Sequence, residues 1–99
     1  MAASLAVDAY VIDTLMRDLI SHDRTPSTFV VFLYLFRRTH GARKESVRVS
    51  HQMLSDATGL SKSAVQYAIK SLVRRRLVDS RRASPTAVPE YFVHCTWRR

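Results

Sequence analysis

The sequence predicts one small, mainly α-helical domain that ends in a β-hairpin. Three observations support this class. The 99 residues are 46% hydrophobic and 24% charged, which fits a single globular domain with a real core. Apolar residues recur at helical spacing over most of the first 76 residues, and the spacing then changes to the alternation of two strands around a turn.

Residues 8–21 predict the first helix, with Asp8 as its N-cap and an end near Ser21. Its apolar residues cover about half of the helix circumference, and they are Val11, Ile12, Leu15, Met16, Leu19 and Ile20. Such a wide stripe is more than packing on one side requires. The helix either completes the core of a monomer or meets its copy in a second chain, and we favour a homodimer through this helix.

Thr25 and Pro26 predict the start of a second helix, because proline is tolerated at the first helical position. The apolar stretch 29–36 could also form a buried strand. We favour a helix, since basic residues at 37–38 complement the helix dipole and Gly41 suits the position just after a helix end. This helix is expected to be the central core helix.

Residues 46–50 alternate as a short strand, and Ser50 can cap a helix over residues 51–58 that Gly59 ends. Ser61 can cap the next helix, which runs to Arg76. The predicted apolar faces consist of Met53, Leu54 and Ala57 in the first of these helices, and Val65, Ala68, Ile69, Leu72 and Val73 in the second.

The hairpin is predicted from a strand over residues 77–82, a tip over residues 83–88 and a return strand over residues 91–97. Pro89 opens the return strand. A proline lacks the N–H that a neighbouring strand would need, so we expect this strand to lie at an edge.

This order of elements resembles the winged helix-turn-helix domain of bacterial transcription regulators, such as the MarR-like and GntR-like families. The resemblance covers residues 46–97. It rests on residues 47–54 as strand and positioning helix, residues 57–61 as the turn, residues 63–72 as recognition helix and residues 76–78 leading into the wing. It implies a winged helix-turn-helix over residues 25–99, with residues 1–24 as an additional N-terminal helix.

The resemblance implies that a recognition helix at about residues 61–76 enters the major groove of double-stranded DNA, with the wing at about residues 77–97 on the flank. A helix fits that groove, and Gln66 can bind the edge of adenine with both ends of its amide. Arg81 and Arg82 point to opposite faces of a strand, so one of them is expected to touch DNA. The predicted DNA-contacting residues are Ser50, Gln52, Ser61, Lys62, Ser63, Gln66, Tyr67, Lys70, Arg81 and Arg82.

From spacing alone, the polar face of residues 61–76 would be interpreted as an ordinary solvated helix surface. The charge distribution instead supports DNA binding by this face. The net charge is +8, and a strongly basic domain attracts polyanions. Residues 61–99 hold nine basic and two acidic side chains, whereas the first sixty residues hold seven basic and six acidic ones. We therefore expect the electrostatic function to lie in the last forty residues.

The sequence does not predict a cofactor, a metal site, a small-molecule ligand or catalysis. Cys95 has no partner for an internal disulfide, and the four histidines lie in separate elements without ligand spacing. There is no nucleophile elbow and no glycine-rich phosphate loop. The longest apolar run, residues 29–36, is far shorter than the roughly 20 residues of a membrane span, so we expect a cytoplasmic, nucleoid-associated protein.

The function predicted from these observations is sequence-specific binding of double-stranded DNA by a small bacterial-type transcription regulator. One alternative is a DNA-binding protein of replication initiation, or of plasmid or phage maintenance. A second alternative is a winged-helix module that binds protein and no DNA. Lys62, Lys70 and the arginines of the wing argue against that module.

Overall fold

Four helices and a small three-stranded antiparallel sheet make up the computed structural model, which describes residues 3–98. The helices are α1 (Met16–Asp23), α2 (Ser27–Arg38), α3 (His51–Thr58) and α4 (Lys62–Arg74), and the strands are β1 (Val47–Arg48), β2 (Val78–Arg81) and β3 (Glu90–Val93). A π-helical segment, Val11–Leu15, leads into α1, and a 3-10 turn, His40–Ala42, follows α2. The predicted fold class, mainly α with a small β wing, is confirmed.

Helix α2 lies at the centre of the core. Val31, Phe32, Leu35 and Phe36 are at most 1% exposed, and α2 packs against α1, α3, α4 and β3. The helical interpretation of residues 29–36 is confirmed and the strand alternative is wrong. None of the helices within residues 3–98 is both long and apolar enough to cross a membrane.

The end of α2 differs from its prediction. Thr39 closes the helix, because its backbone N–H and its hydroxyl both donate to the carbonyl of Leu35, at 3.0 and 2.8 Å. Gly41 is therefore not the residue just after the helix end but lies inside the 3-10 turn, and Arg43 takes the left-handed conformation with φ 57°. A Cβ on Gly41 would lie 2.5 Å from Leu5 Cδ1, so a larger residue there would require the flexible Leu5 side chain to move.

The first helix runs past its predicted end at Ser21 to Asp23, where Arg24 with φ 55° stops it. Its inner face joins the common core through three buried residues, Val11, Leu15 and Leu19. Ile12 remains 45% exposed. Met16 and Ile20 are partly buried against the same core, so five of the six residues of the predicted stripe are used within the chain.

Asp8 is not a side-chain cap, which corrects its prediction. Its carboxylate accepts hydrogen bonds from Trp97 Nε1 at 2.7 Å and from Arg98 Nε at 2.6 Å. These hydrogen bonds lower the pKa of Asp8 from 3.8 to about 2. The chain after β3 supplies both donors, so this contact joins the two ends of the domain.

The sheet has the order β1-β3-β2, with β3 in the centre. The edge position predicted for the strand after Pro89 is wrong, because β1 pairs with its other side. Pro89 is tolerated since it precedes Glu90, the first paired residue, and its carbonyl accepts from the N–H of Val49 at 3.2 Å. The strand also ends at Val93, earlier than predicted.

The segment after β3 turns back to the helices instead of extending the sheet. The Trp97 ring stacks on Tyr10 with ring centres 5.1 Å apart and lies 6.3 Å from Phe32. Cys95, predicted within the return strand, lies half-buried beyond it, and burial raises the pKa of its thiol. Burial of the indole explains why the alternating pattern of residues 91–97 does not continue as strand.

Both predicted serine caps are confirmed. Ser50 Oγ accepts from the N–H of Met53, and Ser61 Oγ accepts from the N–H of Ala64, each at 3.1 Å. The predicted apolar faces are too wide, because Met53, Ala57 and Val73 are exposed. Helix α3 has only eight residues. Among them Leu54 is the one fully buried apolar residue.

A buried carboxylate joins three helices. Asp23, whose side chain is 2% exposed, accepts from Thr28 Oγ1 in α2 and from Ser71 Oγ in α4, both at 2.7 Å. The guanidinium of Arg75 lies 3.8 Å away. Burial raises the pKa of Asp23, but the two hydrogen bonds and the charge of Arg75 outweigh it, so the pKa lies below 3.8. The carboxylate is therefore ionised at neutral pH.

Asp23→Ala is expected to lower the free energy of unfolding by about 2 kcal/mol at pH 7, because it leaves two buried hydroxyls without their acceptor and a partly buried guanidinium without its counter-charge. The folded pKa lies below the unfolded one, so this contribution is complete above about pH 4 and is lost as the pH falls further. Urea unfolding between pH 7 and pH 3 measures both effects. The exposed Asp18→Ala serves as control, with an expected change within about 0.5 kcal/mol; equal losses in both variants contradict the prediction.

Candidate nucleic-acid interface

The turn between α3 and α4 sets the direction of α4. Gly59 has φ 79°, in the left-handed region, and its N–H donates to the carbonyl of Ser55 at 2.9 Å. Ser55 Oγ in turn donates to the carbonyl of Leu60. These contacts close α3 and start α4 within three residues, as a helix-turn-helix requires.

Packing decides which face of α4 is free. Val65, Ala68 and Leu72 are fully buried, so the opposite face is turned to solvent. The exposed residues there include all five predicted contacts within the helix, with Tyr67 45% exposed, and they are Lys62, Ser63, Gln66, Tyr67 and Lys70.

A groove separates the N-terminal halves of α3 and α4 from the tip of the wing. We call it the helix–wing groove; it measures about 350 Å³ and is lined by Ser50, His51, Gln52, Lys62, Gln66, Arg82 and residues 86–89. Arg82 therefore lies next to the recognition helix in space, and its Nη1 donates to the carbonyl of Pro85 at 3.3 Å. Gln52 Nε2 donates to Asp56 Oδ1 at 2.8 Å, which orients the amide along α3.

The pKa of His51 reflects its burial and, to a smaller extent, the positive charge of this groove. Burial lowers the pKa of the imidazole below 6.5, and the charges of Arg82 and Lys62 lower it further. At pH 7 the ring is therefore mostly neutral, and the positive charge beside it comes from Arg82 and Lys62.

The structure brings together half of the predicted contact residues. Ser50, Gln52, Lys62, Gln66 and Arg82 line the helix–wing groove, whereas Ser61, Ser63, Tyr67, Lys70 and Arg81 do not. Arg81 lies outside the helix–wing groove, and its Cζ is 4.8 Å from the centre of the Phe92 ring. Both arginines also line one further groove of the wing, so the expectation that they face different sides stays a prediction.

Sequence reasoning missed a second group of basic residues. Arg37, Arg38, Lys44 and Arg48 line one groove of about 450 Å³ between α2 and β1. The expectation that charge matters only in the last forty residues is therefore incomplete. Residues 37–48 by themselves hold five basic side chains and one acidic side chain. This local excess is hidden when the net charge is summed over the first sixty residues, because the acidic residues of the first helix offset it.

No group of three potential metal ligands occurs within residues 3–98. Two of the histidines have other contacts: His40 Nε2 lies 2.9 Å from the carbonyl oxygen of Val93, and His94 Nε2 lies 2.9 Å from Asp79 Oδ2. Both contacts join the sheet or the segment after it to a neighbouring element.

A helix-turn-helix whose second helix presents a polar, basic face beside an arginine-bearing wing defines a DNA-binding domain of the winged-helix type. Comparison with known families goes further. The sequence model of the family described as bacteriophage replication protein O matches residues 9–91, and the chain belongs to this family. The match supports the DNA-binding domain but not membership of the MarR-like or GntR-like regulators. No significant match was found among curated proteins or solved structures.

Gly59→Ala is expected to destabilise the domain by about 1 kcal/mol, because an L-residue is strained in the left-handed conformation. No atom lies within 4 Å of the added Cβ, so the cost comes from the backbone alone. Gly59→Asn, which tolerates this conformation better, should lose less. Urea unfolding of the three proteins tests this, and equal losses for alanine and asparagine contradict it.

Proposed function

We propose that this protein binds double-stranded DNA in the initiation of replication, without a catalytic role of its own. The proposal rests on the family match over residues 9–91 together with the basic helix–wing groove. The family supports the replication alternative better than the transcription regulator, whose support is the resemblance of residues 46–97.

In this proposal the N-terminal half of α4 enters the major groove. Gln66 is exposed on that half and would read an adenine through its amide, while Lys62 and Lys70 would bind phosphates on either side. Ser50 caps α3, whose N-terminal N–H groups also suit a phosphate. Arg82 would hold the flank from the wing.

The first test is binding of a mixed-sequence duplex, followed by fluorescence anisotropy over a range of salt concentrations. Affinity should fall steeply with salt, and Lys62→Ala/Arg82→Ala should reduce the slope of log K against log salt by about two units, since each phosphate contact contributes about 0.9. Arg17→Ala/Arg74→Ala removes the same charge from exposed positions outside the groove and should change the slope little. Absence of binding by the folded protein at low salt overturns the proposal and favours a protein-binding module.

The second test separates replication from transcription. Sites are enriched from random duplexes, and the best site is placed on a plasmid in cells that produce the protein and its replication partners. A replication role predicts a rise in plasmid copy number that Gln66→Ala abolishes. A change in transcript level at constant copy number supports the transcription regulator instead.

We also propose a homodimer through the first helix. Ile12 is 45% exposed after Val11, Leu15 and Leu19 have packed into the core, and a two-fold dimer would cover it. Sedimentation equilibrium should give a dimer that Ile12→Lys converts to a monomer. Val73→Lys, at a residue of similar exposure on α4, is the control and should stay dimeric; a monomeric native protein overturns this part of the proposal.

A further inference from the structure

The second basic groove, which we call the α2–β1 groove, lies away from the recognition helix. Its polar lining consists of Tyr34, Arg37, Arg38, Lys44, Ser46 and Arg48. Arg37, Lys44 and Arg48 are exposed. Four cationic side chains thus face a volume of about 450 Å³.

These cations take part in no salt bridge within the described part of the chain. Within residues 3–98 none of the four forms an ion pair with a carboxylate, although other basic residues pair with Asp8, Asp18, Asp23 and Asp79. Repulsion between neighbouring cations favours a bound anion. The α2–β1 groove therefore has the electrostatic character of a ligand site and not of a salt-bridged surface.

One of the arginines is already oriented. Arg38 Nη1 donates to Tyr34 Oη at 2.7 Å, and its Cζ lies 5.7 Å from the centre of the same ring. Holding a guanidinium in place reduces the conformational freedom that it loses on binding. Its planar fork of donors matches the oxygens of a phosphate.

A third groove shares lining residues with each of the other two. It measures about 350 Å³, and Arg48, Arg81, Arg82 and Glu90 are among its lining residues. Arg48 also lines the α2–β1 groove, and Arg82 also lines the helix–wing groove. Basic side chains therefore continue from one groove to the next across the wing. The single carboxylate among them, Glu90, accepts a hydrogen bond from Ser46.

We infer that the α2–β1 groove is a second DNA-phosphate site, which binds the duplex flanking the segment that α4 contacts. This inference rests on the proposed DNA binding and extends it to a face outside the helix-turn-helix. The shared arginines make a single duplex the occupant that fits, since its backbone offers phosphates continuously. The domain measures 37 × 34 × 30 Å, close to the roughly 34 Å of one turn of B-DNA, so a duplex longer than one turn extends past the domain and offers flanking phosphates.

The test compares two duplexes. The short one carries only the enriched site, about one helical turn, and the long one adds a turn of mixed sequence on each side. Arg37→Ala/Lys44→Ala removes two exposed charges that line the α2–β1 groove and neither of the other two grooves. The readouts are the slope of log K against log salt and the length of the hydroxyl-radical footprint.

The variant should match the native protein on the short duplex and bind the long duplex at least tenfold more weakly. Its salt slope on the long duplex should fall by about two units for each bound protomer, and its footprint should shrink at each flank that a bound protomer covers. Arg17→Ala/Arg74→Ala, with the same loss of charge, should keep the footprint of the native protein.

The outcomes separate this inference from the proposed function. If Arg37→Ala/Lys44→Ala binds the long duplex with the affinity and footprint of the native protein, the inference is overturned. In that case a weaker salt dependence of Lys62→Ala/Arg82→Ala still supports DNA binding. Equal weakening on both duplexes also overturns it, because the groove then acts on the site itself. Failure of the native protein to bind either duplex overturns the proposed function.

Discussion

The burial of α2 is the constraint on which the rest of the structure depends. Apolar residues occupy several faces of this helix, so it is stable only when other elements cover it. Helix α4 covers one of these faces with Val65, Ala68 and Leu72. That contact fixes the rotation of α4 about its axis and leaves Lys62 and Gln66 on the outside. The recognition face is thus a consequence of how the core is filled.

Two carboxylates, those of Asp8 and Asp23, bind donor groups of the protein itself instead of pairing with the basic residues of the surface grooves. Asp23 is buried among helices, and Asp8 holds Trp97 and Arg98. Each has a pKa below its ordinary value, so each remains charged while it satisfies donors of the protein itself. The arginines and lysines of the wing, of α4 and of the α2–β1 groove have no such partners within residues 3–98. The basic surface of the domain is therefore not confined to α4 and the wing.

The short strand β1 contributes more than its two residues suggest. It pairs with β3, opposite Tyr91 and Glu90, while β2 pairs with the other side of β3. Arg48 and Arg81 both lie opposite Glu90 in this register, on the two neighbouring strands. The central position of β3 therefore places basic residues from distant parts of the sequence around the same wing.

Local signals in the sequence determined the elements: the caps Ser50 and Ser61, the turn at Gly59, and the helical nature of residues 29–36, because each depends on residues within one or two turns of the chain. They also determined that the surface of α4 is polar and basic. Only the tertiary structure decided the rest, including the central position of β3, the use of Asp8 by Trp97 and Arg98, and the grouping of Arg37, Arg38, Lys44 and Arg48. These depend on contacts between segments far apart in sequence, which spacing and composition do not encode.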